Sequence, residues 1–244
     1  MQHSKIEWLQ GGYSINPVKG LCPMDCKDND GKSYCYARRM YLNPYYESMY
    51  SHPEIRLAQD ILSQFYALKH KKPSKVFVGS TMELFGEWVK PEWWHSIMAY
   101  VKAYSEHTFI FLTKRPENLH KFQFPPNAWV GVSATNQLQA AEAFHYLKNV
   151  KATVKFISFE PLLGPMPFEY LDKHFTQAGI SWVIIGAQTP ASLKTMPKLG
   201  WVEEIANAAE KAKIPVFLKD NLLSCIDQYP FACKNGKYRQ EFPK

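Results

Sequence analysis

From Lys75 onward, short apolar runs alternate with longer stretches in which apolar positions recur every three or four residues. The runs are 75–79 (KVFVG), 107–113 (HTFIFLT), 129–133 (WVGVS), 154–159 (VKFISF), 182–186 (WVIIG) and 216–219 (VFLK). Rich in Val, Ile and Phe and nearly continuous, they predict parallel strands covered on both faces. Between them the period changes. Pro53 opens a predicted helix that aligns Ile55, Ala58, Ile61, Leu62, Phe65 and Leu68, and Pro91 opens another that aligns Trp94, Ile97, Met98, Val101 and Tyr104. Proline suits the first helical position because its missing N–H has no intrahelical partner there. Two further helices are predicted over 136–148 (Leu138, Ala141, Phe144, Leu147) and 201–213 (Val202, Ile205, Ala209, Ala212).

Strands alternating with helices imply right-handed β–α–β units and an α/β fold, either a doubly wound sheet or a full or partial (β/α) barrel of parallel strands. Six such strands and one more expected near the N-terminus favour the barrel. No Gly/Ser-rich linker, repeat or low-complexity segment interrupts the pattern, so residues 1–244 are read as a single domain. Ligands in such folds gather at the carboxyl ends of the strands. Those positions are polar here: Ser80, Thr81 and Glu83; Lys114 and Arg115; Ser133, Thr135 and Asn136; Glu160; Gln188; and Asp220.

Composition narrows the classes of partner. Hydrophobic residues make up 46% and charged residues 21% of the 244, as in a globular protein. No apolar run approaches the roughly 20 residues of a membrane-spanning helix, and Met1–Glu7 has no signal-peptide core, so a cytoplasmic protein without a membrane partner is expected. The net charge of +7 favours anionic partners such as nucleic acid or nucleotides. Basic residues concentrate at Lys69, His70, Lys71 and Lys72 with Lys75, and again at Lys234, Lys237, Arg239 and Lys244.

Three of the five cysteines, Cys22, Cys26 and Cys35, fall in one stretch, LCPMDCKDNDGKSYCYARRM over 21–40. Such clustering points to metal or redox chemistry rather than to bridges. Three thiolates from one loop suit three irons of a cubane cluster and leave the fourth iron open. A structural zinc ion would need a fourth ligand, for which His3 and His52 are nearest, and three unrelated buried thiols are the remaining reading.

The loop resembles the Cys-x3-Cys-x2-Cys loop of the radical S-adenosylmethionine superfamily. The first spacing matches and Tyr34 holds the aromatic position before the last cysteine, while the second gap is eight residues rather than two. The wider chain is similar to a phage-associated three-cysteine-motif branch of that superfamily, related to spore photoproduct lyase. The segments that carry the likeness are SKIEW (4–8), NPVKG (16–20), CYARRM (35–40), GSTMELFGEWV (79–89), LTKRPENL (112–119), VGVSATNQ (130–137), SFEPLLGP (158–165), WVIIGAQT (182–189) and VFLKD (216–220). Two departures stand out. Met82-Glu83 replaces the branch's Ser-Asp, and Gly186-Ala187-Gln188-Thr189 replaces a Gly-Gly-Glu-Ser pattern, which removes a carboxylate.

The resemblance implies a 4Fe–4S cluster on Cys22, Cys26 and Cys35, and S-adenosylmethionine cleaved to methionine and a 5′-deoxyadenosyl radical. It also implies a reductant such as flavodoxin or ferredoxin. Under it, Ser80, Thr81 and Glu83 receive the amino group of S-adenosylmethionine and Lys114 or Arg115 pairs with its carboxylate. Ser133 and Asn136 contact the ribose, Tyr34 and Tyr36 lie near the adenine, and Glu160 adds a strand-end carboxylate to the site. A nucleic acid or nucleotide is the expected substrate class. The alternative is a non-catalytic, metal- or cluster-stabilised nucleic-acid-binding protein. Each role has a structural counterpart: a Glu83–Arg115 ion pair, or helix caps at Ser133 and Asn136. Cys225 and Cys233 are candidates for a second metal site or a hydrogen-atom donor. Trp88, Trp93 and Trp94 are candidates for a base-stacking surface or for the core.

Overall fold

The structure is a computed structural model that describes residues 1–44 and 52–243. It is a mixed α/β fold with a mostly parallel sheet of eight strands. The chain forms two compact units, one of residues 1–118 and 122–129, the other of residues 119–121 and 130–244.

In the first unit, β1 (Gln2–His3) pairs antiparallel with β2 (Tyr13–Ile15). The chain then runs through β3 (Val18–Lys19), α1 (Tyr36–Tyr41), β4 (Arg56–Leu57) and α2 (Ile61–Tyr66) to β5 (Lys75–Val78), α3 (Pro91–Ala103) and β6 (Thr108–Thr113). β2 pairs parallel with β5, placing Ser14 beside Phe77, and β5 pairs parallel with β6, placing Phe77 beside Ile110. β2 is the N-terminal strand that the sequence leads one to expect. α3 starts at Pro91 as predicted and buries Trp94, Ile97, Met98 and Val101. Trp94 lies among Phe85, Phe111 and Phe122, with ring centroids 5.0, 5.6 and 4.4 Å away. It is core, at roughly 2–3 kcal/mol for such a side chain, and not a stacking surface.

The helix expected from Pro53 begins late. Residues 53–57 are not helical, with Arg56–Leu57 paired antiparallel to Val18–Lys19 and Leu21 N–H donating to the Pro53 carbonyl. Only Ile61–Tyr66 is helical, and Leu62 is exposed. Long-range pairing outcompetes the local helical pattern here. Gly20 permits it: its φ is +123°, and a Cβ would stand 2.5 Å from the Glu54 carbonyl oxygen.

Strand β7 (Ala128–Ser133) leads into the second unit, which continues as α4 (Gln137–Leu147), β8 (Val154–Phe159), α5 (Leu171–Ala178), β9 (Trp182–Ile185) and α6 (Leu199–Lys211). β10 (Val216–Leu218), α7 (Leu223–Ile226) and the hairpin of β11 (Cys233–Lys234) with β12 (Lys237–Tyr238) complete it. β8, β9 and β10 are parallel, with Ser158 beside Ile184 and Ile184 beside Phe217. One face carries the rings of Phe156, Trp182, Phe217 and Phe242. The other packs on helices, as where Phe159 meets Phe175 of α5. All six predicted strands are present. α5 is not among the expected helices, because only Leu171, Phe175 and Ala178 of its eight residues are buried. Among the described residues, the strands of neither unit taken by itself close into a barrel.

Candidate functional site

The cysteine loop follows β3 and is shaped by its own turn chemistry. The Asp28 carboxylate accepts the N–H groups of Asp30 (3.1 Å) and Lys32 (2.8 Å), with Gly31 at φ +76°. Lys27 bridges Ser33, and Tyr34 N–H donates to the Cys26 carbonyl at 3.0 Å. The eight-residue gap therefore folds out as a closed turn and brings the Cys26 and Cys35 side chains into hydrogen-bond contact.

Each outer sulfur also receives a backbone donor. Cys35 caps α1, its Sγ accepting Arg38 N–H at 3.5 Å, and Cys22 Sγ accepts Glu83 N–H at 3.4 Å. The Cys35 thiol is pulled down to about 5, first by the hydrogen bond from Cys26, then by the N–H groups of Arg38 and Ala37 and by the Lys114 ammonium, all against the effect of burial. Cys26 is pushed up by the same bond and by burial, and Cys22 by burial. Tyr34 is also pushed up, by burial and by the neighbouring Cys26 and Cys35, and its hydroxyl bonds Cys26. Tyr36 is exposed and its hydroxyl donates to the Ser80 carbonyl.

Glu83 joins the sulfurs to the end of β6. Its carboxylate is buried. Oε1 accepts from Phe85 N–H (3.0 Å) and the Thr113 hydroxyl (2.7 Å), and Oε2 accepts Lys114 N–H at 2.8 Å. Thr113 Oγ1 in turn accepts Arg115 N–H at 2.8 Å. Burial raises the Glu83 pKa against these bonds. One side chain thus fixes the backbone of Lys114, whose ammonium acts on Cys26 and Cys35, while its own N–H holds Cys22. Arg115 does not pair with Glu83. It pairs with Glu117 and Glu87, and its guanidinium lies over Trp88.

Ser80 and Thr81 converge on Asn16, which enters the sequence pattern only as part of the 16–20 motif. Asn16 Oδ1 accepts from Ser80 Oγ (3.2 Å), Thr81 N–H (3.1 Å) and Thr81 Oγ1 (3.1 Å). The buried Gln64 amide holds Asn16 through both of its backbone groups and reaches Asp60, which pairs with Lys19. Gln64 carries a signal that could have found it. It is a polar residue on the apolar face marked by Ile61, Phe65 and Leu68.

In the second unit the candidate residues are used differently. Asn136 caps α4, accepting Gln139 N–H at 3.1 Å, and Thr135 bonds the Gln139 side chain. Ser133 is buried at the end of β7. Glu160 forms a part-buried ion pair with Lys219, and a Cβ at Gly186 would stand 2.8 Å from the Lys219 side chain. Asn221 clamps Ala187 through N–H and C=O. Ser158 Oγ and Gln188 Oε1 are buried without a hydrogen-bond partner. Asp220 accepts from Gln240. Cys225 lies beside Ser224, and Cys233 donates to the Asp227 carbonyl.

Among the described residues, no group of three or more His, Cys, Asp or Glu side chains is arranged to hold a metal ion, and no helix is long and apolar enough to cross a membrane. The fold is similar to that of a solved structure, a mutant form of spore photoproduct lyase. The TM-score is 0.57 at 12% sequence identity, over 89% of this chain and 78% of that one. At that identity the likeness is one of fold. No curated protein matches the sequence. The family model described as "Protein of unknown function (DUF5131)" matches residues 3–223, and the chain therefore belongs to the DUF5131 family.

Proposed function

We propose that the chain is a radical S-adenosylmethionine enzyme, a single catalytic domain of the three-cysteine branch, acting on a nucleic acid or nucleotide with electrons from a flavodoxin- or ferredoxin-like donor. The observation that carries this reading is the closed turn that gathers Cys26 and Cys35 beside Lys114, with Cys22 tied to Glu83. The likeness of fold to spore photoproduct lyase supports it at the level of the superfamily.

The residues fit a 4Fe–4S cluster. A cubane takes each thiolate on a separate iron, which asks less convergence than one tetrahedral ion. Backbone N–H donors on Cys22 and Cys35 are the kind of hydrogen bond that stabilises cluster sulfurs and tunes their potential. Held by Cys22, Cys26 and Cys35, such a cluster would supply one-electron reducing chemistry.

The protein's own residues do the remaining work. The Lys114 ammonium supplies the positive charge that a carboxylate beside the cysteines needs, a role for which Arg115, already paired twice, is poorly placed. Glu83 acts through Lys114 and Cys22 as a positioning residue. Its oxygens already accept three bonds, so the amino group expected there falls to the loop of Ser80 and Thr81, held in place by Asn16. Tyr34, bonded to Cys26 through its hydroxyl, holds that side chain in place. In the second unit, the unpartnered Ser158 Oγ and Gln188 Oε1 are the polar atoms a further ligand group would satisfy.

Anaerobic reconstitution with iron and sulfide tests the cluster. About four iron and four sulfide per chain are expected in the wild type, with loss of both in Cys35→Ala. Tight zinc binding without sulfide would contradict the reading and favour the metal-stabilised binding protein.

A further inference from the structure

The two basic clusters of the sequence meet different fates. In the C-terminal cluster, Lys234 pairs with Glu210 and Glu241, and Arg239, 4% exposed, pairs with the same two carboxylates. Lys244 lies outside the described residues. Among the described residues the other cluster, apart from Lys75, which is half-buried at the start of β5, is not neutralised by carboxylates. Lys69, His70, Lys71 and Lys72 are all exposed, and among the described residues no carboxylate pairs with any of the three lysines.

This other cluster is held in a fixed shape. Leu68 is fully buried, and the N–H groups of Leu68, Lys69 and Lys71 donate to the carbonyls of Phe65, Tyr66 and Leu68. Aromatic rings are interleaved with the charges. Lys69 lies 5.6 Å from the ring of Tyr66, itself 52% exposed, and His70 meets the same ring edge-on at 6.0 Å. Lys71 lies 5.7 Å from the ring of Tyr13.

We infer that the Lys69–Lys72 turn, with Tyr66, is a docking surface for single-stranded nucleic acid. Ammonium groups displayed from a rigid turn track phosphates, and the exposed Tyr66 ring beside them offers a face on which a base stacks irrespective of sequence. A duplex or a lipid headgroup would use the lysines but gain nothing from Tyr66. The turn precedes Lys75, the first residue of β5, whereas Ser80 and Thr81 follow its carboxyl end. At about 3.3 Å per residue the two ends of that strand are about 10 Å apart. The surface therefore anchors a polymer and is not part of the cysteine site.

The surface does not involve the cluster, so it is tested on the protein as purified, without added iron or S-adenosylmethionine. Fluorescence anisotropy with a labelled oligothymidylate of about 20 nucleotides is measured across a salt series. Wild type binds with an affinity that falls steeply with salt. The Lys69→Glu/Lys71→Glu/Lys72→Glu variant loses at least tenfold, and its log–log salt slope is reduced by about 2, near 0.7 per lost phosphate contact. Tyr66→Ala weakens the single strand about fivefold or more and leaves a duplex of the same length unaffected. Circular dichroism confirms that each variant is folded. Unchanged affinity and slope in the triple variant would overturn the proposal. So would equal losses for strand and duplex in Tyr66→Ala, or anionic vesicles bound through these lysines in preference to the oligonucleotide.

Discussion

In both units polar residues follow apolar strands, so the strand ends are hard to tell apart in sequence, yet the two sets are wired differently. After β5 and β6, in the first unit, the polar atoms converge on two acceptors. Asn16 collects Ser80 and Thr81, and Glu83 collects Phe85, Thr113 and Lys114, with sulfur one bond away. After β7 and β8 they serve separate local ends, a helix cap at Asn136 and an ion pair at Glu160–Lys219. A centralised network fixes geometry at the cost of depending on single residues. A distributed one tolerates loss.

The contrast breaks most readily at Glu83. Glu83→Ala strands a buried and a part-buried N–H group and a buried hydroxyl, at roughly 1–3 kcal/mol each. A loss of about 4 kcal/mol is expected in urea unfolding, with Glu83→Gln costing less than half as much. A cost below about 1 kcal/mol for the alanine would erase the distinction. In the second unit, Lys219→Met leaves the part-buried Glu160 carboxylate unpaired and should cost about 2 kcal/mol. The double variant Glu160→Gln/Lys219→Met should recover more than half of that, since the penalty belongs to the stranded charge; strict additivity would refute this. Asn136→Ala removes a single cap worth about 1 kcal/mol and should lower the melting temperature by about 3 °C, with no change in iron content on reconstitution. An iron content that fell with it would move Asn136 into the network of the site.

The smallest effect concerns pH. Burial pushes the Glu241 carboxyl up, but the Val216 N–H, Arg239 and Lys234 outweigh it and hold the group below its ordinary range. A folded value below the unfolded one means stability that is present above about pH 4.3 and lost as pH falls through the folded value. The stability gap between wild type and Glu241→Gln should hold constant at neutral pH and close below about pH 4. A gap that widened on acidification would contradict the sign.

Legibility follows locality. The strands can be read because Val, Ile and Phe runs buried on both faces leave no competing pattern, and α3 because Pro91 marks its start. The helix from Pro53 misleads because its apolar spacing is sound, and only the pairing of Arg56–Leu57 with Val18–Lys19 displaces it. The cysteines are evident as a cluster, but the closure of their long gap depends on an Asp28 turn whose partners lie two and four residues away. Asn16 escapes notice as a hub because its contacts lie 64 and 65 residues along the chain. Arg115 misleads in part for a similar reason, since one of its two partners, Glu87, sits 28 residues earlier, while the other, Glu117, is two residues on.

The central claim is tested most directly by reducing the reconstituted protein with dithionite in the presence of S-adenosylmethionine and quantifying 5′-deoxyadenosine by chromatography. The account predicts 5′-deoxyadenosine from the wild type and none from Cys35→Ala. A spectroscopically intact cluster that yields no 5′-deoxyadenosine would contradict it.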